Sequence, residues 1–178
     1  MNVYLISDTH FNHKNIATYC QRPADFTEQI IQNWHNTVKV GDTIIHLGDV
    51  QIGAKSEWIM PSLPGRKILI RGNHDREKSN TWWMEHGFDF ACDGLKFRNM
   101  WLTHEPSTSL ADGCELNIHG HLHNIWHGFG AHIPVLNPGR LNNPWQRLFA
   151  IEYTGYMPVE FDKFISHPKK YLSTGLGD

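Results

Sequence analysis

Residues 67–75 read KILIRGNHD, a short apolar run that stops abruptly at Gly72, Asn73, His74 and Asp75. A buried strand emerging at a sheet edge has this form, with its polar groups delivered at the carboxyl end. The same punctuation appears twice upstream. NVYLIS (2–7) runs into Asp8-Thr9-His10, and TIIHL (43–47) runs into Gly48-Asp49. Downstream, Leu102-Thr103-His104 and Gly120-His121-Leu122-His123 also follow short apolar runs. Side chains at the carboxyl ends of strands in α/β sheets converge on one crevice, so this placement predicts a single site.

Between these strands lie helical patterns. Phe26, Ile30, Trp34 and Val38 recur every four residues, which predicts an amphipathic helix over 26–39. Asp25 stands as its N-cap with Glu28 three residues on, and Gly41 ends it. A short helix over 56–60 stops at Pro61, and Ser79 caps a helix over 80–86 closed by Gly87. The texture changes near residue 88. Apolar runs at 88–92, 95–98, 100–103, 115–118, 133–136, 148–152 and 157–161 are separated by turn residues, with no helical period among them. A β-α-β-α-β half followed by a mostly β half predicts an α/β (α+β) fold of two mixed sheets flanked by helices. No repeat or linker divides it, so one domain is expected over 1–165, with a polar tail over 166–178.

At 178 residues the chain is long enough to bury a core without disulfides. Its sixteen lysines and arginines against eighteen acids give a net charge of −2, which argues against a broad basic nucleic-acid surface. Cys20, Cys92 and Cys114 form no C-x-x-C pair and read as reduced, packed thiols. The N-terminus lacks the charged start and long apolar core of a signal peptide, and nothing approaches a membrane span. A cytoplasmic protein is expected. Thirteen histidines are nearly as many as all lysines and arginines, which raises metal binding as a question.

The donors suit metal ligation. Asp8 and His10, like His121 and His123, are two apart, so an extended chain projects both side chains to one side. Gly48, Gly72 and Gly120 remove bulk beside a candidate ligand. Imidazole, carboxylate and one amide oxygen, without sulfur, suit borderline divalent ions such as manganese, iron, zinc, cobalt or nickel better than calcium or magnesium.

The ordered series D-x-H, G-D, G-N-H-D, H and G-H-x-H over residues 8–123 resembles the calcineurin-like metallophosphoesterase superfamily. The text SDTHFNHKNI…YCQRP resembles a small, cap-less bacterial and phage branch of it. The resemblance implies a four-layer α-β-β-α sandwich. It implies one metal held by Asp8, His10, Asp49 and His123, and a second held by Asp49, Asn73, His104 and His121, with Asp49 bridging. Two divalent transition-metal ions are therefore expected, manganese first. His74 matches the histidine that contacts phosphate and assists the leaving group, and Asp75 would orient it through its other ring nitrogen. Two divalent ions with two carboxylates leave a local charge of +2, a positive pocket in a chain of net charge −2. The activity implied is in-line attack on a phosphate ester by a metal-bridging hydroxide, with His74 stabilising and protonating the leaving group. The missing cap favours a diester over a monoester.

Other residues stand beside this set. His13 touches substrate or caps the helix that follows it. Arg22, in YCQRP, clamps a phosphate oxygen or makes a salt bridge. Arg76 and Arg140 are similar candidates. Trp126 and Phe129 offer a wall for a nucleotide base or pack back onto the sheet. His46 reads as a hydrogen-bonded core residue, and His119 as a residue behind the ligands. Two further functions are carried: a non-catalytic interaction scaffold on the same fold, and a nuclease using the same metals. Retention of His74 and all seven presumed ligands disfavours the scaffold. The partner expected is a phosphate ester, with nucleotides among the candidates, and no membrane; nucleic acid and oligomeric state stay open.

Overall fold

The computed structural model describes residues 1–52, 56–124 and 144–167. The chain runs through β1 (Val3–Ile6), α1 (Lys14–Tyr19), α2 (Phe26–Thr37), β2 (Thr43–His46), α3 (Ile59–Ser62), β3 (Arg66–Ile70), α4 (Asn80–Glu85) and β4 (Phe90–Cys92). It continues through β5 (Leu95–Phe97), β6 (Met100–Thr103), β7 (Leu116–His119), β8 (Gln146–Leu148), β9 (Val159–Glu160) and α5 (Phe161–Ser166). Two mixed sheets result. The first has the order β4-β3-β2-β1-β9, parallel except for β9; the second has β5-β6-β7-β8, parallel except for β5.

Strand alternation splits the core in two. Tyr4 and Ile6 point to one face of the first sheet, where Ile16, Phe26, Ile30, Trp34, Ile59, Met60 and Trp83 of α1–α4 cover them. Leu5, Ile45, Leu47 and Ile70 point to the other face and meet Met100, Leu102 and Ile118 of the second sheet and Phe149 just after β8. The packed sheets with a helical layer realise the α/β architecture expected from the sequence. Phe161 and Phe164 place α5 in the inter-sheet core, with the Phe161 ring 4.9 Å from that of Phe97.

Several boundaries depart from expectation for local reasons. α2 ends at Thr37, and the Asp25 side chain does not cap it; its carboxylate accepts from the Gln29 side chain instead. Ser79 does cap α4, accepting the Trp82 N–H. Pro61 lies inside α3, because a first-turn residue needs no amide for an intrahelical bond. α5 is the helix that the mostly-β reading of the second half did not anticipate; six residues are too few to display a helical period. The run at 148–152 is part strand, with a 3-10 turn over Ile151–Thr154 following β8. The run at 133–136 lies outside the described residues.

Pairing registers place the candidate residues. Parallel pairing sets Ile6 opposite His46 and Thr103 opposite His119. The first pairing carries Asp8 and Asp49 past the same end of the first sheet, and the second does the same for His104 and His121 on the second. Beyond the strands the β1 and β2 loops stay paired: the Asp8, His10 and Phe11 amides donate to the carbonyls of Gly48, Asp49 and Val50.

Candidate metal centre

The left-handed backbone is concentrated here. Asp8, His10, Asp49, His121 and His123 all have φ between 43° and 69°. This costs an L-residue about 1 kcal/mol each, a strain that surrounding hydrogen bonds must hold. The D-x-H and H-x-H pairs are therefore not extended, contrary to the reading of their spacing. A left-handed residue at both ligand positions turns the chain back within three residues. The turn also splits the second pair: His123 joins Asp8 and His10, whereas His121 joins Asp49 and His104.

The two groups share an edge. In the first, Oδ1 of Asp8 is 3.6 Å from Nε2 of His123 and 4.0 Å from Nε2 of His10. In the second, Nε2 of His104 is 3.0 Å from Oδ1 of Asn73 and 3.1 Å from Nδ1 of His121. Oδ2 of Asp49 stands between them, 3.6 Å from Nε2 of His10 and 3.4 Å from Nε2 of His104. Thus all seven expected ligands meet at one place. Three glycines make room. A Cβ on Gly72 would strike the Asp49 carboxylate, one on Gly120 would strike Ser7 and the Asp8 carboxylate, and one on Gly48 would sit 2.6 Å from Nδ1 of His104.

Hydrogen bonds hold the carboxylates from behind. Oδ2 of Asp8 accepts from the Ser7 hydroxyl at 2.5 Å and from the His121 amide at 3.1 Å. Oδ1 of Asp49 accepts the His74 amide at 3.0 Å. Burial alone would raise the Asp49 carboxyl, but the hydrogen bond and charge of His104, with His10, hold it well below the usual carboxylate range. Burial disfavours charge on His104 too, yet Asp49 and Asp8 raise its pKa to about 9. Nδ1 of His104 is fixed by the Leu47 carbonyl at 2.8 Å, which leaves Nε2 toward the centre.

Two observations test whether divalent cations fit. Both ring nitrogens of His10 are buried without a hydrogen-bond partner, a cost that a metal bond at Nε2 relieves. Donors on one tetrahedral or octahedral cation stand about 3.0–3.4 Å apart, close to most separations found here. The nitrogen and oxygen donor set, without sulfur, suits borderline divalent ions. A third cluster, Cys20, His123 and Glu152, also gathers metal-binding atoms. There the Arg22 guanidinium already supplies a cation, 2.6 Å from Glu152, so the cluster is a closed ion pair.

The flanking residues sort differently from expectation. His74 has a half-exposed ring, with Nε2 4.0 Å from Oδ2 of Asp49. Asp75 does not orient it. The Asp75 carboxylate is buried and accepts three backbone amides: Asp49 at 2.7 Å, Gly72 at 2.8 Å and Val50 at 3.0 Å. Burial pushes its pKa up to about 6 against those donors. Arg22 is no exposed phosphate clamp; it is buried, and its guanidinium donates to the carbonyls of Asp8 and Thr9 and to Glu152. His13 precedes α1 without capping it, and its ring lies 5.6 Å from that of His10, on the site side. His46 is a core residue as read, bonded to Thr9 and the Gly48 amide. His119 is buried and bonds the Gly120 carbonyl. Arg76 pairs with Glu105 at the surface. Trp126, Phe129 and Arg140 lie outside the described residues.

Glu152 was missed. It ends the apolar run at 148–152, so the rule that found the other sites, an acid closing a short strand-like run, also applies to it.

Residues 1–153 match the model of the calcineurin-like phosphoesterase superfamily domain, and the chain belongs to that superfamily. It is 32% identical over 174 residues to the uncharacterized protein MJ1445 of Methanocaldococcus jannaschii, covering 92% of this chain and 89% of the relative. The Gene 66 protein of Mycobacterium phage L5 is 33% identical over 82 residues, 42% of this chain and 40% of the relative. The crystal structure of a protein of unknown function, AQ665 from Aquifex aeolicus, superposes with a TM-score of 0.70 at 26% identity, covering 93% of this chain and 98% of that one. Among the described residues no helix is long and apolar enough to cross a membrane.

Proposed function

We propose that this protein is a binuclear metal-dependent phosphoesterase that hydrolyses phosphodiesters. The observation that carries the reading is the position of Asp49, whose Oδ2 lies within 3.6 Å of a ring nitrogen in each donor group. Asp8, His10, Asp49 and His123 would hold one cation, and Asp49, Asn73, His104 and His121 the other. When bound, two divalent ions supply Lewis-acid polarisation of the ester and activation of water. Manganese is the first expectation, with iron, zinc, nickel and cobalt behind it.

His74 supplies the remaining chemistry. Its amide is fixed on Asp49 while its ring stays half-exposed, where an ester reaches it. As imidazolium it stabilises the charge on the phosphoryl oxygens and gives its proton to the departing alkoxide. His13, whose ring lies 5.6 Å from that of His10, is a candidate to meet a substrate group. An open site accommodates ester groups on both sides of phosphorus, which favours a diester, and nucleotides are the first class to screen.

The test is hydrolysis of bis-p-nitrophenyl phosphate by protein supplemented with Mn²⁺. His74→Ala is expected to lose about 10²-fold or more while retaining its metal. Undiminished hydrolysis in that variant, or in excess chelator, overturns the reading.

A further inference from the structure

Glu152 is buried at the back of the first donor group, with Oε1 3.1 Å from Nδ1 of His123. Arg22 closes the arrangement. Its Nη2 is 2.6 Å from the same Oε1 and 2.8 Å from the Asp8 carbonyl, and its Nε is 3.0 Å from Oε1. Nη2 also lies 3.4 Å from Nδ1 of His123. The two protons of Nη2 are already committed to Asp8 and Glu152, so the proton between His123 and Glu152 belongs to Nδ1. That leaves Nε2 of His123 directed at Asp8.

The two donor groups therefore differ in what stands behind their rings. His104 is backed by a neutral carbonyl, that of Leu47, whereas His123 is backed by a buried carboxylate. A carboxylate behind an imidazole fixes the ring and raises the basicity of the nitrogen facing the metal. We infer that Glu152 is a positioning residue that sets the cation affinity of the Asp8–His10–His123 group above that of its neighbour. The inference rests on the metal-centre reading of the preceding subsection. Arg22 ties the carboxylate to the Asp8 main chain, so one buried pair stands behind two candidate ligands of one cation.

Mn²⁺ binding to the full chain, measured by equilibrium dialysis with elemental analysis, tests it without reference to turnover. Wild type is expected to bind two ions in two steps. Glu152→Gln keeps an oxygen for the ring and for Arg22 but removes the charge, and is expected to weaken the tighter step about tenfold, loss confined to the weaker step overturning the inference. Glu152→Ala, which removes both, is expected to weaken the same step about 100-fold and leave the other unchanged. Unchanged affinities, or equal weakening of both steps, overturn the inference while the metal-centre reading stands. A wild type that binds fewer than two ions overturns both. A second measurement needs no variant. In the Zn²⁺-loaded wild type, ¹⁵N-edited NMR is expected to show a slowly exchanging proton on Nδ1 of His123, and a bare Nδ1 overturns the inference.

Discussion

Oδ2 of Asp75 accepts the Asp49 amide at 2.7 Å and the Gly72 amide at 2.8 Å, so a single carboxylate oxygen ties together the loops that follow β2 and β3. Asp49 is the residue between the two donor groups. The distance from Asp49 to His74 and Asn73 is therefore set by a main-chain clasp, and Asp75 acts on the architecture of the site and not on the His74 ring.

Asp75→Asn tests that clasp. One amide oxygen cannot replace two carboxylate oxygens, and its NH₂ would face a buried N–H. A loss of about 1–3 kcal/mol is expected in urea unfolding. A residue that only oriented the half-exposed His74 would leave the unfolding midpoint nearly unchanged.

Gly72→Ala addresses the close approach. Gly72 has no positive φ, so only space is at stake, and the added Cβ would lie 2.6 Å from the Asp49 amide and strike its carboxylate. Displacing Asp49 should weaken both Mn²⁺ binding steps at least tenfold, with a stability loss of about 1–3 kcal/mol. Gly41→Ala is the control, because its Cβ meets nothing within 4 Å, and metal binding should be unchanged.

His46 gives the stability a pH dependence. Burial, with the charge of His104, lowers its pKa from 6.5 to about 3. The unfolded chain then binds a proton that the folded chain refuses. Stability from this residue is full above pH 6.5 and falls as the pH drops toward 3, by up to about 1.4 kcal/mol per unit. His46→Asn keeps an acceptor for the Gly48 amide. Its stability, measured by denaturant melts, should fall less between pH 7 and pH 5 than that of wild type.

Metal removal is expected to destabilise the fold. The candidate ligands gather only in the folded state, and the left-handed backbone of five of them is held there by tertiary contacts. Mn²⁺ at one hundred times its dissociation constant should add about 2.7 kcal/mol per site, a rise of roughly 5–10 °C in Tm for a domain of this size. Thermal melts with and without chelator measure it. No difference in Tm would show that the folded chain gains nothing from the ion.

The seven candidate ligands and His74 were legible because they stand where short apolar runs end, in an order that resembles the family's series. Strand periodicity and polar punctuation are local properties, written in adjacent residues. The same holds for the helix over 26–39 and the Ser79 cap. What the chain could not disclose depended on partners far away in sequence. Arg22 and Glu152 are 130 residues apart, and neither reads as half of a buried pair until β1, β7 and the turn after β8 come together. Asp75 adjoins His74 in sequence yet points away from it, because the nearest unpaired amides belong to Asp49, Val50 and Gly72. The i, i+2 spacing of His121 and His123 suggested side chains on one side of an extended chain, whereas both residues have left-handed φ and stand in different groups, the division that the family resemblance implied. Sequence alone determined the donor set and the order of strands that deliver it. Tertiary structure decided how the backbone turns at each donor and what stands behind it, since hydrogen bonding and burial are satisfied in space and not along the chain.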